Sequence, residues 1–249
     1  MKFLALIPAR YASTRFPAKP LALLGGRPII QHVYERVKEV FDDVYVATDN
    51  ELIASCVRNF GGKAVMTRED HKSGTDRCHE AYLNVGGDYD VIVNVQGDEP
   101  FISASQLHTI KNLFDDATVD IATLVKPFAP TDGWAALSNP NSPKVVVNQA
   151  GEALYFSRSV IPYLRGVETD EWLEQHEFLR HIGLYAYRAE ALERITKLPQ
   201  SPLEKAESLE QLRWLEAGMK IKVGRTDIET IGIDTPEDLK RAEDFLNNK

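Results

Sequence analysis

Three cations, Arg10, Arg15 and Lys19, fall within the proline-punctuated stretch "IPARYASTRFPAKPL", Ile7–Leu21. Such a cluster is stable in water or against an anion, because burying it unpaired is costly. Two further motifs carry carboxylates. "VNVQGDEP" holds Gln96, Asp98 and Glu99, and "GIDTPEDL" holds Asp234. Guanidinium and ammonium groups neutralise phosphate oxygens, while hard carboxylate oxygens suit Mg²⁺, which keeps part of its water shell. Together these residue types fit a polyphosphate with its divalent cation, and a nucleoside triphosphate is the candidate anion.

Each feature also has a plainer reading. Asp98 could cap the turn at Glu99-Pro100, and Asp234 could be an ordinary helix-entry residue. The three cations could pair with some of the 37 acidic residues on the surface. "SGTDR" (Ser73–Arg77) reads equally as a helix N-terminus, and His181 as a satisfied, partly buried histidine. His71 and His79 do not stand at metal-ligand spacing with Cys56 or Cys78, so a zinc site is not expected. The chain has neither a Gly-x-Gly-x-x-Gly fingerprint nor a Gly-Lys-Ser/Thr phosphate loop.

The elements that must position these groups alternate between strand and helix. Apolar runs at 3–7, 44–48, 63–67, 90–96 and 120–125 read as strands. Helical spacing covers 28–41, with Pro28 in its first turn, then 50–61 closed by Gly61. Another helix opens at Thr75 or Asp76, and one over 103–114 has Ser103 as N-cap. This alternation predicts an α/β fold with a mostly parallel sheet flanked by helices. In such sheets ligands bind beyond the carboxyl ends of the strands, where Arg10, Gln96 and Asp98 fall.

The rhythm changes after Lys126. A Pro- and Asn-rich loop precedes "KVVVNQAGEALYFSR", which reads as two antiparallel strands around Ala150-Gly151. Residues 160–180 read as irregular, with Trp172 and Phe178 in polar surroundings; an exposed subunit interface and a packed loop are both open. Helical patterning returns at 188–198 and as one segment over 201–218, followed by the strand "IKVGRT". The closing helix, 234–248, has Thr235 as N-cap, Pro236 at the first position and Asp238 completing a capping box.

Composition narrows the functional classes. The 249 residues are 43% hydrophobic and 27% charged, ordinary for a globular chain able to bury a core. A net charge of −8 argues against general nucleic-acid binding. No apolar run approaches the roughly 18 residues that span a bilayer, and "MKFLALIPAR" is too short in its apolar core for a secretory signal. Two cysteines fit a reducing compartment, so a cytoplasmic location is expected, with no membrane partner.

Eight segments in order now carry a resemblance: "IPARYASTRFPAKPL", "VYVATDN", "SGTDR", "VNVQGDEP", "ALYFSRSVIP", "RHIGLYAYR", "SLEQLRWLEAG" and "GIDTPEDL". They resemble, nearly end to end, the 3-deoxy-manno-octulosonate cytidylyltransferases, or CMP-Kdo synthetases. Ala18 departs from that pattern, since the family commonly has glycine before the lysine. Cys78 departs too, at a position where larger apolar residues are frequent. The resemblance implies a Rossmann-like, GT-A-like nucleotide-diphospho-sugar transferase fold: a mixed sheet flanked by helices. It implies a single domain over 1–249 with an antiparallel dimerisation insertion at about 127–188, hence a homodimer. The substrates implied are CTP and Kdo, and the cofactor Mg²⁺ on Asp98 and Asp234. Arg10 and Lys19 would hold the triphosphate with Arg15 in support, and Ala9, Ser73 and Thr75 would contact the cytidine. Gln96, Arg158, His181, Tyr185, Glu210 and Gln211 would form the sugar-acid pocket. Adjacent Glu210 and Gln211 point about 100° apart on a helix, so both reach one pocket only near its end. Cytidylyltransferases for 8-amino-Kdo or sialic acid remain alternatives, although the latter normally carry a Gly-Ser-Lys type loop absent here. More distant alternatives are a glycosyltransferase of similar fold and a non-catalytic nucleotide-binding module.

Overall fold

A computed structural model describes residues 1–12, 15–228 and 231–247; Ser13 and Thr14 of the cationic loop, and Asn248 of the closing helix, lie outside the described residues. The chain divides into two compact units. One comprises Met1–His108, Leu184–Thr196 and Glu229–Lys249; the other comprises Thr109–Gly183 and Lys197–Ile228.

In the first unit the parallel strands Ala64–Met66, Asp43–Thr48, Phe3–Ala9 and Val91–Asn94 lie side by side in that order. Tyr185–Arg188 then adds antiparallel to Val91–Asn94. Leu4, Ala5, Leu6 and Ile7 are all fully buried, as expected for a central strand covered on both faces. The chain builds outward from Phe3–Ala9 on one side, then returns to place Val91–Asn94 on the other. That reversal is the switch point at which α/β sheets leave a crevice, and Arg10 and Gln96 follow the two strands that flank it.

Helices Ile29–Lys38, Glu51–Asn59 and Gly74–Val85 follow the expected apolar faces. The third opens earlier than the sequence suggests: Ser73, not Thr75, is the N-cap, and its hydroxyl accepts from Asp76 N at 3.1 Å. Ser103 accepts from Gln106 N at 3.2 Å, while Gln106 Oε1 accepts from Ser103 N at 3.1 Å, a capping box for Ala104–Asn112. The closing helix Pro236–Asn247 keeps its capping box: Asp238 N donates to Thr235 Oγ1 at 3.2 Å, and Thr235 N to Asp238 Oδ2 at 2.9 Å. Leu24, Ile29, Phe101, Ile233 and Ala242 form a core cluster beneath it.

In the second unit the strands Ile121–Pro127 and Ile221–Arg225 are parallel. The expected hairpin forms from Lys144–Val147 and Ala153–Ser157. Two readings need correction. Trp172 and Phe178 are not exposed: they are 3% and 1% accessible and share a core with Phe128, Leu137 and Leu173. Apolar partners from distant segments cover them, so the packed-loop alternative holds. The helix expected over 201–218 is two helices, Pro202–Glu207 and Gln211–Glu216, separated by Ser208 in a left-handed conformation at φ 51°. The strand Leu179–Arg188 lacks a clean period-2 pattern and escaped the sequence reading.

Candidate active site

The cationic loop leaves the first strand at Ala9 and turns back at Ala18, whose N–H donates to Tyr11 O at 3.0 Å. Ala18 sits at φ 55°, ψ 23°, a left-handed backbone that L-residues seldom adopt. The turn that follows, Lys19–Leu21, is pinned by Leu21 N donating to Ala18 O at 2.9 Å and buries Pro20. The backbone of Lys19 is therefore fixed, and its side chain points across the crevice.

Two other loops meet it. Gly97 is required by contact rather than by φ: a Cβ there would lie 2.8 Å from Pro8 O. Its bareness lets the loop after Val91–Asn94 lie against the end of the first strand, which delivers Asp98. Ile233 N donates to Asp98 O at 2.9 Å, tying that loop to the one bearing Asp234. Asp234 N in turn donates to Asp238 Oδ2 at 3.0 Å, so the closing helix's capping residue also fixes the carboxylate before it. Lys19 Nζ lies 2.6 Å from Asp98 Oδ2 and 3.0 Å from Asp234 Oδ1. Arg15 NH2 approaches Asp234 Oδ2 at 3.3 Å from the exposed rim. Beside Asp98, the half-buried Glu99 carboxyl is pushed up to about 8, by burial first and then by the Asp98 charge.

Arg15, Lys19, Asp98 and Asp234 line a cavity of ≈ 350 Å³, together with Ala9, Arg10, Ser73 and Gln96. Thr75 is buried in the first turn of its helix and is not among the lining residues. Sequence reasoning missed three cavity residues. Arg77 is buried and paired with Asp49 at 2.7 Å, and it donates to Thr67 Oγ1 at 2.6 Å. His71 pairs with Glu80, whose carboxyl stays low despite burial because His71 and Arg68 donate to it. Lys72 adds an exposed cation. The available signal for Arg77 was a charge on the buried side of a helix, with the strand-end Asp49 as its complement.

Of the expected sugar-acid residues, Gln96 and Tyr185 belong to the first unit, and Arg158, His181, Glu210 and Gln211 to the second. Arg158 is held closely: Nε donates to Glu207 O at 2.6 Å, NH1 to Pro140 O at 2.8 Å and NH2 to Ser208 O at 3.2 Å. His181 Nε2 lies 3.0 Å from Thr123 Oγ1 and its ring meets Phe156 edge-on; burial lowers it to about 3, so it is neutral. Glu210 immediately precedes the short helix and accepts from Arg213 NH2 at 2.6 Å, while Gln211 is its first residue. Both thus stand at a helix end, the one place where adjacent residues can serve one pocket. Gln211 Nε2 is buried without a hydrogen-bond partner among the described residues, a costly state that an oxygen-rich ligand would relieve.

The first-unit constellation can neutralise and orient a polyanion. Among the described residues no cluster of three or more His, Cys, Asp or Glu stands ready for a metal. Two carboxylates that already gather around a cation, here the Lys19 ammonium, nevertheless fit Mg²⁺. This ion is commonly held through one or two carboxylates, with water and substrate phosphates completing its shell.

Comparison with known proteins agrees with this geometry. The profile of the family described as Cytidylyltransferase matches residues 4–221. The 3-deoxy-manno-octulosonate cytidylyltransferase of Bacteroides thetaiotaomicron is 65% identical over 249 residues, covering all of both chains. That of Parabacteroides distasonis is 64% identical over 250 residues, again covering all of both. The solved structure of CMP:2-keto-3-deoxy-manno-octonic acid synthetase complexed with CTP matches with a TM-score of 0.90 at 42% identity, over 100% of this chain and 99% of that one. The expected Rossmann-like, GT-A-like class, a mixed sheet flanked by helices, stands.

Proposed function

The chain belongs to the 3-deoxy-manno-octulosonate cytidylyltransferase family, and from that premise we propose that it transfers the cytidylyl group of CTP to Kdo and releases diphosphate. The observation that carries this reading is the meeting of Lys19, Asp98 and Asp234 at the switch point of the sheet. The anomeric hydroxyl of Kdo attacks the α-phosphorus in line. An O–P bond forms, the α,β-phosphoanhydride bond breaks, and the hydroxyl proton leaves to solvent. Such chemistry depends on positioning and charge neutralisation rather than on a covalent intermediate.

Arg10 and Lys19 hold the triphosphate and offset charge on the departing diphosphate, with Arg15 at the rim. Ala9 backbone, Ser73 and Thr75 serve the cytidine; the contribution of Thr75 is packing of the helix that presents Ser73. Asp98 and Asp234 would hold Mg²⁺, which when bound would supply charge neutralisation and Lewis-acid activation. Gln96, Arg158, His181, Tyr185, Glu210 and Gln211 receive the sugar acid. A neutral His181 serves there as a hydrogen-bonding partner for hydroxyls, not as a cation.

The family profile crosses both compact units, which supports their working as one cytidylyltransferase domain with an insertion at about 127–188. The exposed Leu154 and Tyr163 on that insertion, 59% and 76% accessible, support a homodimer. Among the described residues Cys56 and Cys78 form no disulfide, and no helix is long and apolar enough to cross a membrane. The action is proposed for the cytoplasm, where CTP is available.

The test is diphosphate release with CTP, Mg²⁺ and a panel of Kdo, its 8-amino analogue and sialic acid. Turnover with Kdo that ceases on adding EDTA is expected. Turnover confined to another acid would move the sugar assignment, and none with any acid would overturn the reading.

A further inference from the structure

We infer that Lys19 is a built-in counter-ion that closes the Asp98–Asp234 pair to a divalent cation until a polyphosphate draws it away. Metal and nucleotide then bind as one coupled event. The inference rests on the proposed role of Asp98 and Asp234 as metal ligands, and its own support is the position of the ammonium.

Nζ lies within 3.0 Å of an oxygen from each carboxylate, and the Lys19 side chain is only 14% exposed. It occupies the place a shared cation would take. Arg15 also reaches Asp234, but its side chain is 67% exposed and it meets Oδ2, not the Oδ1 that Lys19 approaches. A divalent ion adding to these oxygens would meet a like charge at close range in a partly desolvated crevice, where repulsion is weakly screened. The Lys19 ammonium thus satisfies both carboxylates internally.

The same residue can leave. Its backbone is fixed by the left-handed Ala18 and the turn over Lys19–Leu21, so release is a side-chain rotation. Four methylenes and a compact ammonium suit that movement, and triphosphate oxygens offer the ammonium a competing partner. Once Nζ turns to phosphate, both carboxylates are free. By linkage, whatever factor the nucleotide adds to metal affinity, the metal adds to nucleotide affinity.

The test measures Mn²⁺ binding by electron paramagnetic resonance, without turnover, in the absence and presence of α,β-methylene CTP. Native enzyme binds Mn²⁺ weakly alone and tightly with the analogue. Lys19→Met, uncharged and of similar length, binds Mn²⁺ alone roughly ten-fold tighter than native enzyme. Lys19→Arg, which keeps the charge, remains weak. Thermal unfolding of each variant confirms that it is folded, and the Arg variant separates charge from packing. If the Met variant binds Mn²⁺ alone no tighter than native enzyme, Lys19 is not the excluding charge. If Asp98→Asn leaves Mn²⁺ affinity unchanged with the analogue present, the ligand assignment fails instead, and the inference with it.

Discussion

Replacing Ala18 by glycine tests the loop that carries Lys19. Ala18 holds φ 55°, ψ 23°, in the left-handed region. That conformation costs an L-residue roughly 1–2 kcal/mol through the approach of Cβ to the following carbonyl. Glycine escapes this cost, but its unfolded chain gains entropy that returns roughly 0.5–1 kcal/mol. Ala18→Gly is therefore expected to stabilise the protein by about 0.5–1 kcal/mol, a rise of about 1–4 °C in Tm for a chain of this length. Ala18→Val, adding a branched side chain to the same backbone, should lower Tm by a similar or larger step. Scanning calorimetry at one fixed scan rate reads both, with the CTP KM measured in parallel to show that Lys19 keeps its place. A Tm for Ala18→Gly at or below that of the native chain would refute the strain argument. So would indifference to valine.

Other perturbations separate contact from conformation and charge from packing. Gly97→Ala places a methyl 2.8 Å from Pro8 O and must displace Asp98, so kcat should fall at least roughly ten-fold; Gly74→Ala meets nothing nearer than Pro8 Cγ at 3.4 Å and should retain activity in the same assay. Asp49→Ala leaves the buried Arg77 guanidinium without its carboxylate and should cost about 3–5 kcal/mol in denaturant unfolding, whereas a loss under 1 kcal/mol would contradict the buried pair. His181 is lowered from 6.5 to about 3 by burial, so the unfolded chain takes up a proton before the folded one. The stability it contributes is intact above about pH 6.5 and is lost as pH falls towards 3, by at most about 4–5 kcal/mol. His181→Asn should flatten that part of the stability–pH curve, and an unchanged slope would place the acid sensitivity elsewhere.

Much of this arrangement was legible in the chain. Apolar runs of strand length and helices with regular faces are local signals, and so are caps such as Ser103 and Thr235. The cations after the first strand and Asp98 after Val91–Asn94 were legible because strand order puts successive carboxyl ends on one rim. What escaped depends on distant partners. Trp172 and Phe178 look exposed among polar neighbours until Phe128 and Leu137 cover them. The Ser208 break has no glycine to announce it, and a left-handed serine is visible only in the folded backbone. Arg77 resembles a surface charge until Asp49 meets it. The position of Lys19 between two acids, rather than beside an anion alone, required the three loops to be assembled.

The most direct measurement follows the oxygen. Kdo carrying ¹⁸O at its anomeric hydroxyl is mixed with excess enzyme, CTP and Mg²⁺, and single-turnover products are read by ³¹P resonance and mass. Attack by that hydroxyl on the α-phosphorus predicts CMP-Kdo with ¹⁸O in the sugar–phosphate bridge, and unlabelled diphosphate. CMP with free Kdo, or CMP-Kdo whose bridge lacks the label, would contradict the account.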